Sequence, residues 1–362
     1  MNSTVQELIP ALAKRITPVD MAILVAAQRH LDQLTKPIGS LGRLEAIAAQ
    51  MFALKDGVLQ AESGTAVSSK AVYVFAADHG VVAEGVSAYP AEVTRQMVLN
   101  FLRGGAAINV LARANAVAVH VVDVGVDGDL AGEPGLHHAK VRRGSRNMLH
   151  EAAMSDAELA QALRVGVQAA EAAFAAGVGL VAVGEMGIGN TTAASAITAF
   201  ITGADPVTVT GRGTGVSDEQ YRHKQAVVAA ALARHAASAT SPLEILRSVG
   251  GLEIAAMAGM MLAAAAHRTA VVVDGFISTA AAAVACALVP AARGYLFAGH
   301  RSEEPGHRLL LEHLGLQPIL DLKMRLGEGT GAVLAMPIIE AAVRVYLEMA
   351  TFASAGVSGA QP

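Results

Sequence analysis

Short runs of β-branched and other apolar residues alternate with longer alanine-rich stretches from Lys70 onward. Each run ends in a corner of acidic residues, histidine or glycine, and most corners lead into a segment with helical spacing. The runs span residues 71–77, 117–122, 178–183, 270–273 and 294–298. Near-continuous apolar strands are typical of a parallel sheet that helices cover on both faces. The pattern therefore predicts an α/β fold with a doubly wound, mostly parallel sheet.

Two segments outside this alternation carry apolar residues at helical spacing, residues 41–54 and 332–352. Because they lie near opposite ends of the chain, we expect them to pack together. They predict a small helical domain built from residues 1–65 and 335–362. The large α/β domain, which would be the catalytic one, then covers residues 66–334.

The corners are the expected place for a ligand site. In a doubly wound sheet, ligands bind outside the carboxyl ends of the strands, and the acidic, histidine and glycine residues of this chain concentrate there. Residues 130–147, rich in glycine, arginine and histidine, predict a long loop.

The amino-acid composition excludes several classes of protein. The 27 basic residues are balanced by 31 acidic ones, so no broad cationic surface is available for nucleic acid. One cysteine excludes an internal disulfide framework and a cysteine-based zinc site, and the histidines lack the spacing of a metal site. The first 20 residues show no signal-peptide pattern, which favours a cytoplasmic location.

Two uncharged stretches approach the length of a membrane span, residues 186–204 and 275–292. The first contains glycine, asparagine and threonine, and the second is mostly alanine with a proline. A membrane-spanning helix favours leucine, isoleucine, valine and phenylalanine instead. Both stretches therefore predict buried elements and no membrane insertion.

Residues 184–192, GEMGIGNTT, form the most informative motif because they follow a predicted strand and open a predicted helix. Glycines let backbone N–H groups approach an oxyanion, and a helix N-terminus favours negative charge. The motif indicates a phosphate cradle, although it matches neither a Walker A loop nor a dinucleotide fingerprint. The alternative is a tight turn capped by Thr191 or Thr192.

Two further glycine-rich segments add to this cradle. Residues 210–215, TGRGTG, run into a strong helix N-cap signal and a helix that carries Lys224. Two glycine-rich helix starts and a lysine can enclose a phosphate, although a lone lysine is more often on a solvated helix face. In residues 299–307, GHRSEEPGH, Ser302 can donate to an anion.

Residues 326–331, LGEGTG, surround one carboxylate with glycine. A glutamate flanked in this way can lie against a ligand, and with few local donors its carboxylate can act as a base. The alternative is that Glu328 only meets the dipole of the helix that follows. The residues alone leave both interpretations open.

Taken in order, these motifs resemble the nicotinate-nucleotide:dimethylbenzimidazole phosphoribosyltransferase family over nearly the whole chain. The resemblance also rests on residues 34–45 (LTKPIGSLGRLE), 75–97 (FAADHGVVAEGVSAYPAEVTRQM), 250–259 (GGLEIAAMAG) and 271–278 (VVVDGFIS). It implies transfer of the phosphoribosyl group of nicotinate mononucleotide to 5,6-dimethylbenzimidazole, which yields α-ribazole 5′-phosphate and nicotinate with inversion at C1′. It also implies a homodimer that uses no metal and no bound cofactor.

The resemblance assigns a role to individual residues of this chain. It implies Glu328 as the catalytic base that takes the benzimidazole proton. Together, the resemblance and the glycine-rich motifs place phosphate and ribose at Glu185, Gly187, Gly189, Asn190, Thr191, Gly213, Thr214, Gly215, Lys224, Asp274 and Ser302. The aromatic base is expected against Tyr89, Gln96, Met186 and Leu326.

Two other functions compete with this one. A nucleotide-dependent oxidoreductase or kinase would require a dinucleotide fingerprint or a metal-binding phosphate loop, and the sequence has neither. A non-catalytic sensor of nucleotide or benzimidazole would share the fold and the pocket. Turnover of nicotinate mononucleotide separates an enzyme from a sensor.

Overall fold

The computed structural model describes residues 5–55, 57, 67, 69–213 and 215–358. Its centre is a six-stranded sheet in the order β3-β2-β1-β4-β5-β6, and every neighbouring pair is parallel. The strands are β1 (Lys70–Ala77), β2 (Val117–Gly125), β3 (Leu136–His138), β4 (Leu180–Met186), β5 (Ala270–Val273) and β6 (Leu296–Ala298).

The α-helices of the described residues are α1 (Val5–Ala13), α2 (Met21–Asp32), α3 (Arg43–Leu54), α4 (Val93–Leu102), α5 (Ala107–Ala114), α6 (Asp156–Ala175), α7 (Asn190–Thr202), α8 (Pro206–Val209), α9 (Asp218–His235), α10 (Pro242–Val249), α11 (Leu252–Ala266), α12 (Phe276–Leu288), α13 (Pro305–Leu314), α14 (Thr330–Glu348) and α15 (Phe352–Ala355). Two 3₁₀ segments, Gly80–Glu84 and Pro290–Tyr295, complete the described elements.

The sheet is covered on both faces. Every residue of β1 and β5 is buried, which is possible only when helices pack on the two sides of these strands. One group of helices, α6, α11 and α12, forms mutual contacts and packs on the central strands through α11 and α12. A second group contains α5 and α14, which contact each other and the strands. The prediction of a doubly wound α/β fold is confirmed.

The terminal segments pack as helices on this core. Helix α3 contacts both α2 and α14, while α1 contacts α6 and α11. Helix α14 begins at the sheet and continues through the predicted boundary between residues 334 and 335. The division into domains of residues 66–334 and of 1–65 with 335–362 stays a prediction, and its first boundary, between residues 65 and 66, lies outside the described residues.

Two local predictions are wrong. The predicted loop of residues 130–147 contains β3, a three-residue edge strand that pairs Leu136 with Val121. Such a short strand with two histidines carries no apolar run that would identify it. The predicted strand of residues 294–298 is shorter, because Gly294 and Tyr295 belong to the preceding 3₁₀ segment.

The apolar stretches form buried helices, as predicted. Residues 190–199 of α7 are almost entirely buried, and so are residues 276–286 of α12. Among the described residues, only Thr330–Glu348 is both long and apolar enough to cross a membrane, and 56% of its most apolar window is buried inside the protein. Helix α14 thus packs as a core helix.

The strand order places the site. The order of the strands reverses between β1 and β4, which neighbour each other at the centre although they are distant in sequence. Ligands bind at such a switch point, outside the carboxyl ends of the strands. The residues that follow β1, β4, β5 and β6 therefore meet at one edge.

Candidate active site

A cleft of about 440 Å³ opens at the carboxyl ends of β4, β5 and β6. Most of the residues that the sequence assigns to the site line it. They are Tyr89, Glu185, Met186, Gly187, Asn190, Thr191, Gly213, Asp274, Ser302, Leu326 and Glu328. The structure thus brings residues from six separate chain segments to one place.

Four predicted site residues do not line the cleft. Gly189 is the N-cap of α7 and faces Val82 and His79 instead. Gly215 lies in a turn, and Gln96 is an exposed residue of α4. Lys224 lies behind Thr191. A fifth predicted residue, Thr214, lies outside the described residues.

The cleft also contains residues that sequence reasoning missed. Val93 and Met97 lie four residues apart on α4 and share its cleft-facing side, which helical spacing could have indicated in place of Gln96. Glu304 belongs to the quoted motif of residues 299–307, in which only Ser302 is a predicted site residue. Others are Ile188, Phe276, Ile277, Ser278, His300 and Arg325.

The phosphate-cradle motif passes directly from β4 to the start of α7. The helix begins at Asn190, and Gly189 before it has no side chain to cap the first turn. The segment is thus a tight turn, but neither Thr191 nor Thr192 caps the helix, so that part of the alternative interpretation is wrong. Thr191 instead holds its hydroxyl toward the second glycine-rich segment, where Lys224 Nζ donates to Thr191 Oγ1 at 2.7 Å.

Lys224 is one of the most buried polar residues of the described chain. Its 1% exposure rules out a solvated helix face. Burial lowers the pKa of the ammonium to about 8, and attraction to Glu304 opposes this shift. The cation is therefore desolvated beside the cleft, where it can attract an anion more strongly than an exposed lysine.

Gly213 connects the cation to the acidic side chain that accompanies it. Its N–H donates to Glu304 Oε1 at 3.0 Å, and its carbonyl oxygen accepts from Arg325 Nη1 at 3.0 Å. A Cβ at Gly213 would lie 2.8 Å from Thr191 Oγ1 and 2.9 Å from Lys224 Nζ. Only a residue without a side chain leaves room for this approach.

Glu185 lies with Asp274 and Glu328 in the acidic part of the cleft, which is called its acidic end below. Its carboxyl is buried and accepts a hydrogen bond from Asn190 Nδ2. Burial, together with repulsion from the nearby carboxylates of Glu253, Asp274 and Glu328, raises the pKa of Glu185 to about 8, and the hydrogen bond from Asn190 opposes the shift. The Glu185 carboxyl is therefore mostly protonated at neutral pH.

Glu328 stands on an unusual turn immediately before α14. Its φ of +63° follows +87° at Gly327 and precedes +91° at Gly329, so three successive residues are left-handed. A Cβ at Gly327 would lie 2.3 Å from Glu185 Oε1, so this glycine lets the two acidic residues approach. A left-handed glutamate costs about 1–3 kcal/mol and is typical of functional sites.

The surroundings of the Glu328 carboxylate match the properties of a base. Its Oε2 accepts the Ile108 N–H at 3.2 Å, and its side chain faces the cleft. Burial raises the pKa of Glu328, repulsion from Asp274 adds to this, and the Ile108 hydrogen bond opposes it. The Glu328 carboxylate thus contacts a backbone donor of α5 in addition to lying at the start of α14, and its role stays a prediction.

Asp274 holds the turn that carries Glu328. Its Oδ2 accepts from Gly329 N at 3.1 Å, and its Oδ1 accepts from Ala332 N at 2.9 Å. His300 Nε2 lies 3.8 Å from Oδ1. Burial raises the pKa of Asp274, while His300 and the backbone donors oppose the shift. Both carboxylate oxygens are thus engaged by the first turn of α14.

A second buried pair supports the floor of the cleft. His79 Nε2 and Glu253 Oε1 lie 2.6 Å apart, and both side chains are almost fully buried. Desolvation would lower the pKa of His79, but the Glu253 carboxylate outweighs it and the pKa is raised. His79 packs against Gly187 and Gly189, so this pair fixes the motif from behind.

Within the part of the chain that the structure describes, no group of three or more histidine, cysteine, aspartate or glutamate side chains has an arrangement that could hold a metal ion.

Comparison with known proteins agrees with this geometry. A family model described as "Phosphoribosyltransferase" matches residues 16–357. The nicotinate-nucleotide–dimethylbenzimidazole phosphoribosyltransferase of Geobacter sulfurreducens is 53% identical over 348 residues, which cover 96% of this chain and 97% of that protein. The enzyme of the same name from Chloroflexus aurantiacus is 53% identical over 352 residues, 97% of this chain and 99% of that protein.

A solved structure extends the likeness to the fold. The crystal structure of CobT from Thermus thermophilus matches with a TM-score of 0.88 and 52% sequence identity, over 94% of this chain and 100% of that one. Similarity at this level covers the sheet, the cleft and nearly all described elements. The chain therefore belongs to the nicotinate-nucleotide–dimethylbenzimidazole phosphoribosyltransferase family.

Proposed function

We propose that this protein transfers the 5-phosphoribosyl group of nicotinate mononucleotide to 5,6-dimethylbenzimidazole. The products are α-ribazole 5′-phosphate and nicotinate, with inversion at C1′. The names of its full-length relatives support this reaction. The observation that carries it is a buried, left-handed Glu328 in the same cleft as a glycine-lined cation site.

The substrate's phosphate binds at the end of the cleft where Lys224 lies behind Thr191. The α7 N-terminus, the Gly213 loop and Ser302 surround this end, and the buried ammonium supplies the counter-charge. Charge-assisted hydrogen bonds of this kind contribute about 1.5–3 kcal/mol each. The phosphate thereby fixes the ribose with its C1′ toward the acidic end.

The benzimidazole binds against the apolar wall of the cleft. Tyr89, Met186 and Leu326 face this part of the cleft together with Val93 and Met97 of α4. A flat aromatic ring suits such a wall because its apolar faces are removed from water. Tyr89 and Leu326 are 52% and 57% exposed, so the incoming ring has apolar surface to cover.

Glu328 acts as the base. The incoming benzimidazole loses its N–H proton as its other nitrogen attacks C1′, and a carboxylate with a raised pKa accepts that proton more readily than an ordinary one. Glu185, whose pKa is about 8, already holds a proton at neutral pH. It therefore suits hydrogen bonding to a ribose hydroxyl better than proton abstraction.

The leaving group needs little assistance. Nicotinate departs from a cationic pyridinium, so no proton must be supplied to it. At the acidic end of the cleft, the carboxylates of Asp274 and Glu328 favour the positive charge that develops at the ribose during displacement. A single in-line displacement gives the α anomer.

A turnover assay tests this function against a non-catalytic sensor. Nicotinate release is measured with nicotinate mononucleotide alone, with both substrates, and with both substrates and the Glu328→Gln variant. Release that requires both substrates and Glu328 is the expected result. Saturable binding of both ligands to the unaltered protein without release would identify a sensor.

We also propose that the enzyme works in the cytoplasm as a homodimer. Large apolar side chains are exposed on the N-terminal helical segment at Met21, Val25 and Ile38, which are 68%, 47% and 77% exposed. Apolar surface of this kind is typical of a protein contact. Sedimentation of the unaltered protein should give twice the chain mass of 36.9 kDa, and a single-chain mass would contradict the dimer.

A further inference from the structure

A buried carboxylate lines the phosphate end of the cleft, beside which the buried cation Lys224 lies. Glu304, the residue before α13, is 6% exposed and lines the cleft near Ser302. The transfer reaction described above assigns it no role. A carboxylate beside a phosphate dianion repels it, so its presence requires an explanation.

The two carboxylate oxygens of Glu304 differ in their contacts. Oε1 accepts the Gly213 N–H at 3.0 Å. Oε2 is buried and has no hydrogen-bond partner among the described residues. It packs against backbone, because a Cβ at Gly211 would lie 1.8 Å from it. A buried carboxylate oxygen without a hydrogen-bond donor is unfavourable, unless a ligand supplies a hydrogen bond or the oxygen itself takes up a proton.

The titratable groups around Glu304 belong to three other parts of the chain. Lys224 of α9 and Arg325, which precedes α14, attract its carboxylate and oppose the increase of its pKa that burial causes. His307 of α13 donates its backbone N–H to the Glu304 carbonyl at 3.0 Å, and burial lowers the pKa of its imidazole to about 3, so it is neutral. Thr191 and Ser302 contribute hydroxyl groups without charge.

We propose that Glu304 takes up one proton when the phosphate monoester of the substrate binds, and then donates a hydrogen bond from Oε2 to a phosphate oxygen. Oε1 keeps the Gly213 N–H, and the proton comes from solvent. The carboxyl thereby changes from an acceptor that repels the ligand into a donor that holds it. This inference rests on the proposed function, since it takes nicotinate mononucleotide as the ligand.

Proton uptake makes binding depend on pH with a definite sign. Above the pKa of Glu304 in the free protein, each unit of pH should raise the Kd of nicotinate mononucleotide by up to about tenfold. The second pKa of a phosphate monoester is about 6, so above about pH 7 the ligand itself contributes little. Lys224, with a pKa of about 8, titrates in the same range and must be distinguished from Glu304.

The test combines titration calorimetry with difference infrared spectroscopy. Calorimetry in buffers of different ionisation enthalpy counts the protons taken up with nicotinate mononucleotide. The infrared spectrum detects the carbonyl stretch of a newly protonated carboxylic acid.

Both measurements are made on the unaltered protein, Glu304→Gln and Glu303→Gln. Glu303 is the matched control because it is the adjacent glutamate and is exposed. Nicotinate riboside, which lacks the phosphate, is the control ligand.

In the unaltered protein and in Glu303→Gln, we expect uptake of about one proton and a new acid band with the mononucleotide, and neither with the riboside. Glu304→Gln, whose amide can donate at any pH, should bind the mononucleotide without the band and with a flatter pH dependence. Uptake without an acid band would assign the proton to Lys224 and overturn the proposal.

A band that persists in Glu304→Gln, or one that the riboside also produces, would overturn it as well. The ligand comparison on the unaltered protein stands even if the variant does not fold. Normal turnover without an acid band rejects this inference alone. Failure of the unaltered protein to bind or convert the mononucleotide rejects the proposed function together with it.

Discussion

The two ends of the cleft use burial in opposite ways. At the acidic end, burial and neighbouring carboxylates raise the pKa of Glu185 to about 8. At the phosphate end, burial lowers the pKa of Lys224 to about 8, although Glu304 opposes the shift. Loss of hydration therefore favours the protonated form of Glu185 and the deprotonated form of Lys224, which in each case is the uncharged form.

This difference shows how one cleft can bind an anion and still contain several carboxylates. With Glu185 protonated, the acidic end carries less negative charge than its residue count indicates, and Glu328 can remain the base. The ammonium at the other end is still mostly charged at neutral pH. The two ends also differ in their hydrogen bonds. Lys224 donates to a hydroxyl group, whereas the Glu328 carboxylate accepts from a backbone N–H.

The largest expected effect is at the acidic end. Glu328→Gln keeps the size and hydrogen bonding of the side chain but removes its affinity for a proton. We expect kcat to fall by about 10²–10⁴, the usual range for general base catalysis, while nicotinate mononucleotide still binds. The acidic limb of the pH profile of kcat should disappear. Steady-state kinetics across a range of pH will measure both the fall in kcat and the loss of this limb.

Glu303→Gln, an exposed change of the same kind, is the control for Glu328. Glu185→Gln should lower the plateau and keep the acidic limb. If Glu328→Gln kept its rate and limb while Glu185→Gln lost them, the two roles would have to be exchanged.

The protonated Glu185 predicts a pH dependence of stability. Between the ordinary carboxyl pKa of 4.5 and about 8, the folded protein binds a proton that the unfolded chain releases. The free energy of unfolding should therefore fall as pH rises through this window, by up to about 1.4 kcal/mol per pH unit. Thermal unfolding of Glu185→Gln should lack this contribution. As the pH rises toward 8, the Tm of the variant should therefore fall less than the Tm of the unaltered protein. Equal slopes for both proteins would mean that Glu185 is ionised in the fold.

A smaller effect is expected at the phosphate end. Lys224→Ala should raise the KM for nicotinate mononucleotide roughly tenfold or more, if one charge-assisted bond of about 1.5–3 kcal/mol is lost. Arg222→Ala, an exposed change two residues earlier on α9, is the control. Initial rates at varied mononucleotide concentration measure this, and an unchanged KM would remove Lys224 from the phosphate site.

The smallest effect concerns the apolar wall between the two ends. Because Met186, Leu326 and Tyr89 offer apolar contact, a methyl group on the base changes transition-state binding by only about 1–3 kcal/mol. Unsubstituted benzimidazole should therefore also react, with a lower kcat/KM. Competition between the two bases measures the ratio, and turnover of the dimethyl compound alone would show a far more selective pocket.

The sequence by itself determined the sheet and the chemistry of its corners. The apolar runs that became β1 and β5 are continuous because both faces of a parallel strand are buried, and that pattern is local. The glycine-rich motifs could be identified for the same reason, since a left-handed turn or a close backbone approach requires glycine in the chain itself. The glycine-rich segment that leads into α7 and the position of Glu328 at the cleft were thus predictable.

The tertiary structure decided how these groups act on one another. The burial of Lys224 behind Thr191, the shared surroundings of Glu185, Glu253 and Asp274, and the contact of Glu304 with Gly213 join residues far apart in sequence. A pKa depends on hydration and on neighbouring charges, and both are properties of the folded chain and not of any motif.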